Sequence, residues 1–234
     1  MQSFGKPRIL IVGCGDIGLR VAKQLARSHH IYALTSQKAR FQELRAVGAI
    51  PILGDLDKPD SLWRLSGLAQ TVIHLAPPQN TGHRDCRTRN LLRILAQGSD
   101  TVGRLIYVST TGVYGDHAGG KVSEVTPVKP QSERAKRRVD AEHCLRLWAP
   151  AHGAVLTILR VPGIYAADRL PVERIQAGTP ALNPAEDAYS NHIQSDDLAR
   201  LLCATVYHGK PQRVINACDG GQTKMGDYFD EVAD

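Results

Sequence analysis

The sequence predicts an α/β protein in which helices cover both faces of a doubly wound parallel sheet. Short apolar runs alternate with amphipathic stretches along most of the 234 residues, and such alternation requires right-handed crossovers between parallel strands. In addition, the first apolar run ends in a glycine-rich turn directly before a helical pattern. These observations predict a ligand site at the carboxyl ends of the strands.

The predicted elements follow one another in a regular order. Strands are expected at residues 9–12, 31–35, 49–53, 71–75, 104–109 and 155–160. Helices are expected from residue 17 to 25 and then at 39–47, 61–68, 84–97 and 133–148. Residues 112–130 lack a periodic pattern, and loops of that length in compact domains are usually functional or mobile.

The turn after the first strand has the spacing of a phosphate-binding loop. Its sequence is Gly13-Cys14-Gly15-Asp16-Ile17-Gly18. The first glycine allows a tight turn, the second lets the backbone approach a pyrophosphate, and the third lets the helix pack closely on the sheet. The amides and the dipole at the helix start favour an anion. We therefore predict a dinucleotide site at Gly13, Gly15, Asp16, Ile17 and Gly18.

The end of the second strand indicates which nicotinamide cofactor binds. NAD-selective folds place a carboxylate there, whereas the 2′-phosphate of NADP is bound by hydroxyls and cations. This segment offers Thr35, Ser36, Lys38 and Arg40, and its first carboxylate is Glu43. NADP is therefore favoured, with NAD possible. In the alternative interpretation, Lys38 and Arg40 only solvate a helix start.

Composition limits the classes of partner. The formal net charge is +6, but the arginines are spread along helices without interleaved aromatic residues, which argues against nucleic-acid binding. No apolar run is long enough to cross a membrane. The five cysteines have no metal-ligand or disulfide spacing. We expect a cytoplasmic protein without a metal site.

Several further segments carry a resemblance to a known family. The chain resembles NAD(P)-dependent epimerase/dehydratases of the extended or atypical short-chain dehydrogenase/reductase group, which have a Rossmann-type fold. The segments, besides the glycine loop, are Gly54-Asp55-Leu56, His74-Leu75-Ala76, Tyr107-Val108-Ser109-Thr110-Thr111-Gly112-Val113-Tyr114-Gly115, Leu159-Arg160-Val161-Pro162-Gly163-Ile164-Tyr165 and Asn191-His192-Ile193-Gln194-Ser195-Asp196-Asp197-Leu198-Ala199.

The resemblance implies further site residues. Ala76 and Pro77 would contact the cofactor ribose, Ser109 or Thr110 a substrate oxygen, and Pro162 the nicotinamide amide. Asp55 and Leu56 follow the third strand, where an adenine edge would lie. Capping of the next turn is an equally good role for Asp55.

The chain departs from the family at the catalytic pair. The family uses a tyrosine as proton donor and, four residues later, a lysine that lowers its pKa. Arg134 and Arg138 occupy these positions. Arginine stays protonated, so it cannot act as a general acid or base there. Tyr114 could donate a proton instead, but turn packing is its more common role.

Helical spacing predicts where these arginines point. Arg134, Arg138, Ala141, Leu145 and Trp148 form one stripe, which we expect to face the sheet and to bring two cations to an anionic cofactor or substrate. In the alternative interpretation, both arginines extend to solvent. Two residues off this stripe, Lys136 and Arg137, are expected to be ordinary surface charge. His74 and His192 are expected to be packed side chains rather than catalysts.

Two functions remain open at this point. We favour an NAD(P)-dependent oxidoreductase or epimerase-type enzyme with a rearranged acid/base set, an unknown and possibly anionic substrate, and a possible homodimeric state. The alternative is a dinucleotide-binding, redox-sensing or scaffold protein without catalysis. We expect a nucleotide-binding domain at residues 1–165 and a small, incomplete or truncated substrate lobe at 166–234, interleaved with the sheet as one compact unit.

Overall fold

A computed structural model describes residues 5–98, 101–167, 170, 176–177, 187, 189–221 and 223–233. Its strands are β1 (Arg8–Val12), β2 (His30–Thr35), β3 (Ala49–Leu53), β4 (Thr71–His74), β5 (Arg104–Thr110), β6 (Val155–Val161), β7 (Gly163–Tyr165), β8 (Tyr189–Ser190), β9 (His192–Gln194), β10 (Arg213–Asn216) and β11 (Thr223–Lys224). Its α-helices are α1 (Asp16–Leu25), α2 (Phe41–Ala46), α3 (Cys86–Leu95), α4 (Glu133–Ala151), α5 (Ser195–His208) and α6 (Met225–Ala233).

Seven strands form the central sheet in the order β10-β6-β5-β4-β1-β2-β3. All of its pairings are parallel. The predicted doubly wound Rossmann-type fold is therefore confirmed. Because the strand order reverses beside β1, the carboxyl ends of β1 and β4 border a crevice in which ligands of such sheets bind.

Helices bury apolar residues on both faces of this sheet. On one face, α3 and α4 contribute Leu91, Leu95 and Leu145 to the core. On the other face, α1 and α5 pack Val21 and Leu202 against the strands. A strand that is buried on both faces needs apolar residues at consecutive positions. Residues 9–12 of β1 have that pattern.

Two of the predicted helices differ in the structure. The segment predicted as a helix at 61–68 is a 3-10 helix at Pro59–Leu65, and Gly67 follows it with φ +65°. Proline fixes the first turn, and a left-handed glycine prevents continuation. The helix predicted at 39–47 begins as a 3-10 turn at Lys38–Arg40 before α2.

The two edges of the sheet are formed by β3 and β10. Pro51 lies in the middle of β3 and pairs with Ala33 in register. At the other edge, the backbone N–H of Asn216 donates to Glu124 Oε1 at 2.9 Å. Glu124 belongs to the aperiodic stretch 112–130, so part of that stretch crosses the edge of β10. This hydrogen bond lowers the pKa of the Glu124 carboxyl.

The region after β6 continues as two short ribbons. Strand β7 pairs in parallel with β9, and β8 pairs antiparallel with β11. Most of residues 168–188, the centre of the expected lobe at 166–234, lie outside the described residues. The two-part division therefore stays a prediction.

A buried ion pair joins α4 to β6. Arg160 donates to both carboxylate oxygens of Glu142 at 3.1 and 2.7 Å, and both side chains are about 5% exposed. The Arg160 guanidinium also lies over the Tyr114 ring, 4.8 Å from its centroid. Two-point geometry compensates for the removal of both charges from water.

We expect Glu142→Ala to lower the free energy of unfolding by about 3–5 kcal/mol, because Arg160 would stay buried without its carboxylate. Urea unfolding measures this difference. Replacing both residues with methionine should recover most of the loss. A Glu142→Ala effect below about 1 kcal/mol would contradict the assigned cost of the unpaired charge.

Candidate functional site

A cleft of about 310 Å³ opens at the carboxyl ends of the strands around β1. It collects eight of the predicted cofactor residues, namely Gly13, Gly15, Thr35, Ser36, Asp55, Leu56, Ala76 and Pro77. These residues come from the loops after β1, β2, β3 and β4. The topology therefore brings together residues that are up to 64 positions apart in the chain (Gly13 to Pro77).

The three glycines of the loop after β1 occupy three different environments. Gly13 has φ +84°, and a Cβ there would lie 2.4 Å from the backbone nitrogen of Ala76. At Gly18, a Cβ would lie 3.1 Å from Cys14 Sγ, so α1 packs closely on the loop there and a larger residue would displace the Cys14 side chain. A Cβ at Gly15 would have no neighbour within 4 Å, which leaves open space over the loop.

The start of α1 borders the open space at Gly15, and the two together form what we call the cradle. Gly15 is the N-cap, and it offers no side-chain hydrogen bond to the first turn of the helix. Asp16 and Ile17 contribute backbone amides at this end, while the Asp16 carboxylate accepts from Arg20 Nε at 2.8 Å. Exposed helix amides and the helix dipole suit a phosphate group. The open space at Gly15 therefore fits a pyrophosphate.

The segment after β2 places a cation in the cleft at Arg40 rather than at Lys38. Arg40 lines the cleft and pairs with Glu43 at 2.8 Å, whereas Lys38 is exposed and lies outside the lining. Ser36 is exposed beside Arg40. The hydroxyl of Thr35 accepts from the backbone N–H of Gln37 at 3.2 Å and so shapes this turn.

Sequence reasoning missed one cation of the cleft, Arg87 on the first turn of α3. Its guanidinium holds both carboxylate oxygens of Asp57 at 2.8 and 2.6 Å, and Nη1 donates to the carbonyl oxygen of Pro77 at 3.2 Å. The hydrogen bond from Arg87 lowers the pKa of Asp57. Asp55 lines the cleft and also accepts from the Asp57 N–H at 3.0 Å, so its predicted turn role is present as well.

The family model that matches the chain is described as NAD(P)H-binding, and it covers residues 13–208. The chain belongs to the NAD(P)H-binding family. This match confirms the predicted binding of a nicotinamide dinucleotide. It leaves the choice between NAD and NADP open.

Solved structures support the predicted resemblance. A protein from Methylobacillus flagellatus named as an NAD-dependent epimerase/dehydratase is 28% identical with a TM-score of 0.74, over 98% of this chain and 81% of that one. A conserved protein of unknown function from Silicibacter pomeroyi is 25% identical with a TM-score of 0.74, over 97% of this chain and 79% of that one. UDP-glucose 4-epimerase from Thermotoga maritima shares the fold at 20% identity and a TM-score of 0.78, over 95% and 80% of the two chains. Among curated proteins, no sequence matches the chain.

This NAD(P)H-binding protein places Ser109 at the end of β5 with an unpaired hydroxyl. Ser109 is buried, and its Oγ has no hydrogen-bond partner within the described part of the chain. Thr110 instead caps the next turn, because its Oγ1 accepts from the N–H of Gly112 at 3.2 Å. A buried donor without a partner is costly, so Ser109 is the better candidate to meet a substrate oxygen.

Tyr114 has the packing role that was the alternative to catalysis. It is 2% exposed, and its hydroxyl donates to Asn216 Oδ1 at 2.7 Å. This bond ties the turn after β5 to β10. The phenol is therefore committed to the structure in this conformation.

The arginines of α4 are arranged differently from the predicted stripe. Arg138 faces inward as expected and is 5% exposed. Its Nη1 donates to Val108 O at 2.8 Å and to Tyr107 Oη at 3.0 Å, and it lies 3.5 Å from Ala76 O. The prediction for Arg134 is wrong, because its side chain is exposed. The prediction that Arg137 is surface charge is also wrong, because it is 6% exposed.

The helix phase explains these two corrections. The buried residues of α4 include Ala135, Arg138, Ala141, Glu142 and Leu145. The face that contacts the sheet thus begins one residue later than position 134, while position 137 is covered by the loop after β4. Lys136 is exposed as predicted and pairs with Glu133 at 2.8 Å.

His74 is a packed side chain, as predicted. Its Nε2 lies 2.9 Å from Thr88 Oγ1, which in turn donates to Asp85 Oδ2 at 2.7 Å. Because the Thr88 proton goes to the carboxylate, the Nε2 of His74 is the donor to Thr88 Oγ1. Burial, with a smaller contribution from Arg138, lowers the pKa of His74 to about 3.

The segment after β6 brings polar side chains close to the expected nicotinamide contact at Pro162. A Cβ at Gly163 would lie 2.7 Å from His192 Cδ2, so the imidazole packs directly on this backbone. His192 also stacks on Tyr228, with ring centroids 4.3 Å apart, and its Nε2 lies 3.3 Å from Ser190 Oγ. His192 is thus packed, as predicted, beside Pro162, whose contact with the cofactor stays a prediction because it does not line the cleft.

Two further properties of the described residues concern the requirements of a metal site and of a membrane-spanning helix. Among the described residues, no group of three or more His, Cys, Asp or Glu side chains could hold a metal ion. In the same part of the chain, no helix is both long and apolar enough to span a bilayer.

The buried neutral His74 predicts a specific pH dependence of stability. The unfolded chain takes up this proton near pH 6.5, whereas the folded protein resists protonation until about pH 3. Stability from this group is therefore lost as the pH falls below about 6.5, by about 1.4 kcal/mol per pH unit.

Urea unfolding at pH 7 and pH 5 measures this dependence. Between these values, we expect the wild type to lose about 2 kcal/mol more than His74→Gln, which keeps a polar group at this position but does not titrate. Equal losses in the two proteins would contradict the neutral, buried state of His74.

Proposed function

We propose that this chain is an NADP-dependent oxidoreductase or epimerase-type enzyme of the short-chain dehydrogenase/reductase group. The observation that carries the proposal is the cradle over Gly15, where a helix N-terminus without a side-chain cap faces open space in the cleft. A dinucleotide pyrophosphate matches this chemistry. The bound cofactor would supply a hydride acceptor or donor at its nicotinamide ring.

The preference for NADP rests on Arg40. Two of its nitrogens, Nε and Nη2, donate to Glu43 Oε2 at 2.8 Å, and this ion pair neutralises the first carboxylate after β2. Ser36 lies next to it in the cleft lining. A cation and a hydroxyl at the end of β2 are the groups that a 2′-phosphate needs.

The reaction side of the proposal rests on Ser109. Its hydroxyl lies near the carboxyl end of β5, is buried and has no partner among the described residues, so a carbonyl or alcohol oxygen of the substrate would bond to it once this position opens to the cleft. Hydride transfer requires above all that substrate and nicotinamide are positioned against each other.

A specific observation favours the second candidate, a dinucleotide-binding or redox-sensing protein without catalysis. Arg134 points to solvent, and Arg138 is held by backbone and Tyr107 oxygens, so neither takes the place of the family's tyrosine. Measuring the absorbance of NADPH in the presence of carbonyl compounds and nucleotide sugars distinguishes the enzyme from the protein without catalysis. Substrate-dependent oxidation supports the enzyme, and binding without turnover supports the second candidate.

We expect Gly15→Val to abolish binding of NADPH while the fold is retained. The new methyl groups would enter the open space that the pyrophosphate needs, and no protein atom opposes them. Calorimetric titration measures binding, and circular dichroism with thermal unfolding verifies the fold. Gly103→Val is the matched control, because it adds the same group at the amino end of β5. Undiminished binding by the folded Gly15→Val protein would remove the site from this loop.

We expect the wild type to bind NADPH about 1–2 kcal/mol more tightly than NADH, which is the scale of one or two charge-assisted hydrogen bonds. Arg40→Ala should remove most of this difference and leave NADH affinity unchanged. Arg45→Ala removes an exposed arginine from α2, which directly follows Arg40, and serves as the control. Equal affinities in the wild type would refute the NADP preference.

A further inference from the structure

The segment 77–85, which lies within the loop between β4 and α3, connects the cofactor cleft to α4. It begins at Pro77, which lines the cleft, and Arg87 Nη1 holds the carbonyl oxygen of that residue. Within the loop, the side-chain amide of Gln79 donates to Thr81 O at 3.2 Å and accepts from the N–H of Cys86 at 3.2 Å. The loop therefore has a defined internal structure that begins at the cofactor contact.

Three residues of α4 hold the far side of this loop. Arg137 Nη1 donates to Gly82 O at 2.7 Å, Glu133 pairs with His83 at 2.6 Å, and Asp140 accepts from the N–H of Asp85 at 2.8 Å. Positions 133, 137 and 140 are spaced by four and three residues, so they lie on one face of the helix. This polar face is adjacent to the one that packs on the sheet.

Arg137 differs from the other two in its burial. It is 6% exposed, whereas Glu133 is exposed and Asp140 half-buried. Its Nε has no hydrogen-bond partner within the described residues. Burial of a guanidinium that is only partly hydrogen-bonded costs free energy. The one contact that offsets this cost at Arg137 among the described hydrogen bonds is the one to the backbone carbonyl of Gly82.

We propose that Arg137 is a positioning residue that fixes loop 77–85 so that Ala76 and Pro77 meet the cofactor ribose. The inference rests on the proposed function, because it assigns these two residues to the dinucleotide. The first two turns of α4, which carry the catalytic pair in the family that the chain resembles, here hold the cofactor loop. Arg137 acts through the loop and does not touch the cofactor.

The test compares Arg137→Ala, Arg137→Lys and the wild type. We expect Arg137→Ala to raise the Kd for NADPH about five- to tenfold, because the loop must be ordered on binding. Arg137→Lys should recover part of the affinity, since an ammonium can still donate to Gly82 O. Arg93→Ala, which removes an exposed arginine from α3, should leave the Kd unchanged.

Hydrogen exchange provides a readout that does not depend on the cofactor. In Arg137→Ala, the N–H groups of Asp85 and Cys86 should exchange faster, while those of β1 and β4 should keep their protection. Should Arg137→Ala not fold, His83→Ala breaks an exposed anchor of the same loop and should raise the Kd about two- to threefold.

The outcomes separate the two proposals. A wild type that binds no dinucleotide overturns the proposed function and this inference with it. A wild type that binds, together with unchanged affinity and exchange in Arg137→Ala, overturns only the positioning role. An equal loss of affinity in Arg137→Ala and Arg137→Lys would also count against it, because the hydrogen bond to Gly82 would then be irrelevant.

Discussion

The cleft depends on the close approach of two loops, the one after β1 and the one after β4. At Gly13 the backbone passes so near to Ala76 that a Cβ would overlap its nitrogen. This contact is possible because β1 and β4 are neighbours in the sheet while the chain between them crosses to β2 and β3. The open crevice beside Gly15 and the lining residue Pro77 both follow from this approach.

Local patterns were sufficient to predict six of the seven strands of the sheet and the glycine loop, whereas the edge strand β10 was not predicted. The run at 9–12 is apolar at consecutive positions, as a strand buried on both faces must be, and the run at 155–160 is apolar except at Thr157 and Arg160. The glycine spacing has a single structural interpretation once a strand precedes it and a helix follows it. Segment 61–68 forms a 3-10 helix rather than the predicted α-helix because its apolar spacing suits both helix types and Pro59 fixes the first turn.

The orientation of α4 could not be predicted from its spacing alone. Two stripes, one that begins at 133 and one at 134, differ by a rotation of about 100°, and both start with charged residues. Arg137 is buried because a loop from another part of the chain covers it. The best signal was the acidic spacing of Glu133 and Asp140 around Arg137, which indicates a polar face with its own contacts.

The pairs that join distant segments were also outside the reach of local patterns. Arg160 interrupts an apolar strand, and that interruption alone indicates a buried partner, but Glu142 is brought to it only by the crossover from α4 to β6. Likewise, the hydroxyl of Tyr114 meets Asn216, which lies 102 residues later. These contacts hold the polar groups of Tyr114 and Glu142 in structural hydrogen bonds, although residues of these types are otherwise candidates for catalysis.

The edges of the sheet determine how the chain behaves toward other extended chains. An unprotected edge strand can add a strand from a neighbouring molecule and so begin aggregation. Beside β3, the N–H of Gly54 donates to the carbonyl oxygen of Thr35 in β2. Because backbone N–H groups alternate between the two sides of a strand, the nitrogen of Pro51 lies on the outer side, where it has no N–H to donate to an added strand. In β10, Glu124 already occupies the N–H of Asn216. Because the pKa of Glu124 is lowered, this carboxylate keeps its charge, and with it the cover on β10, at a lower pH than an ordinary glutamate would.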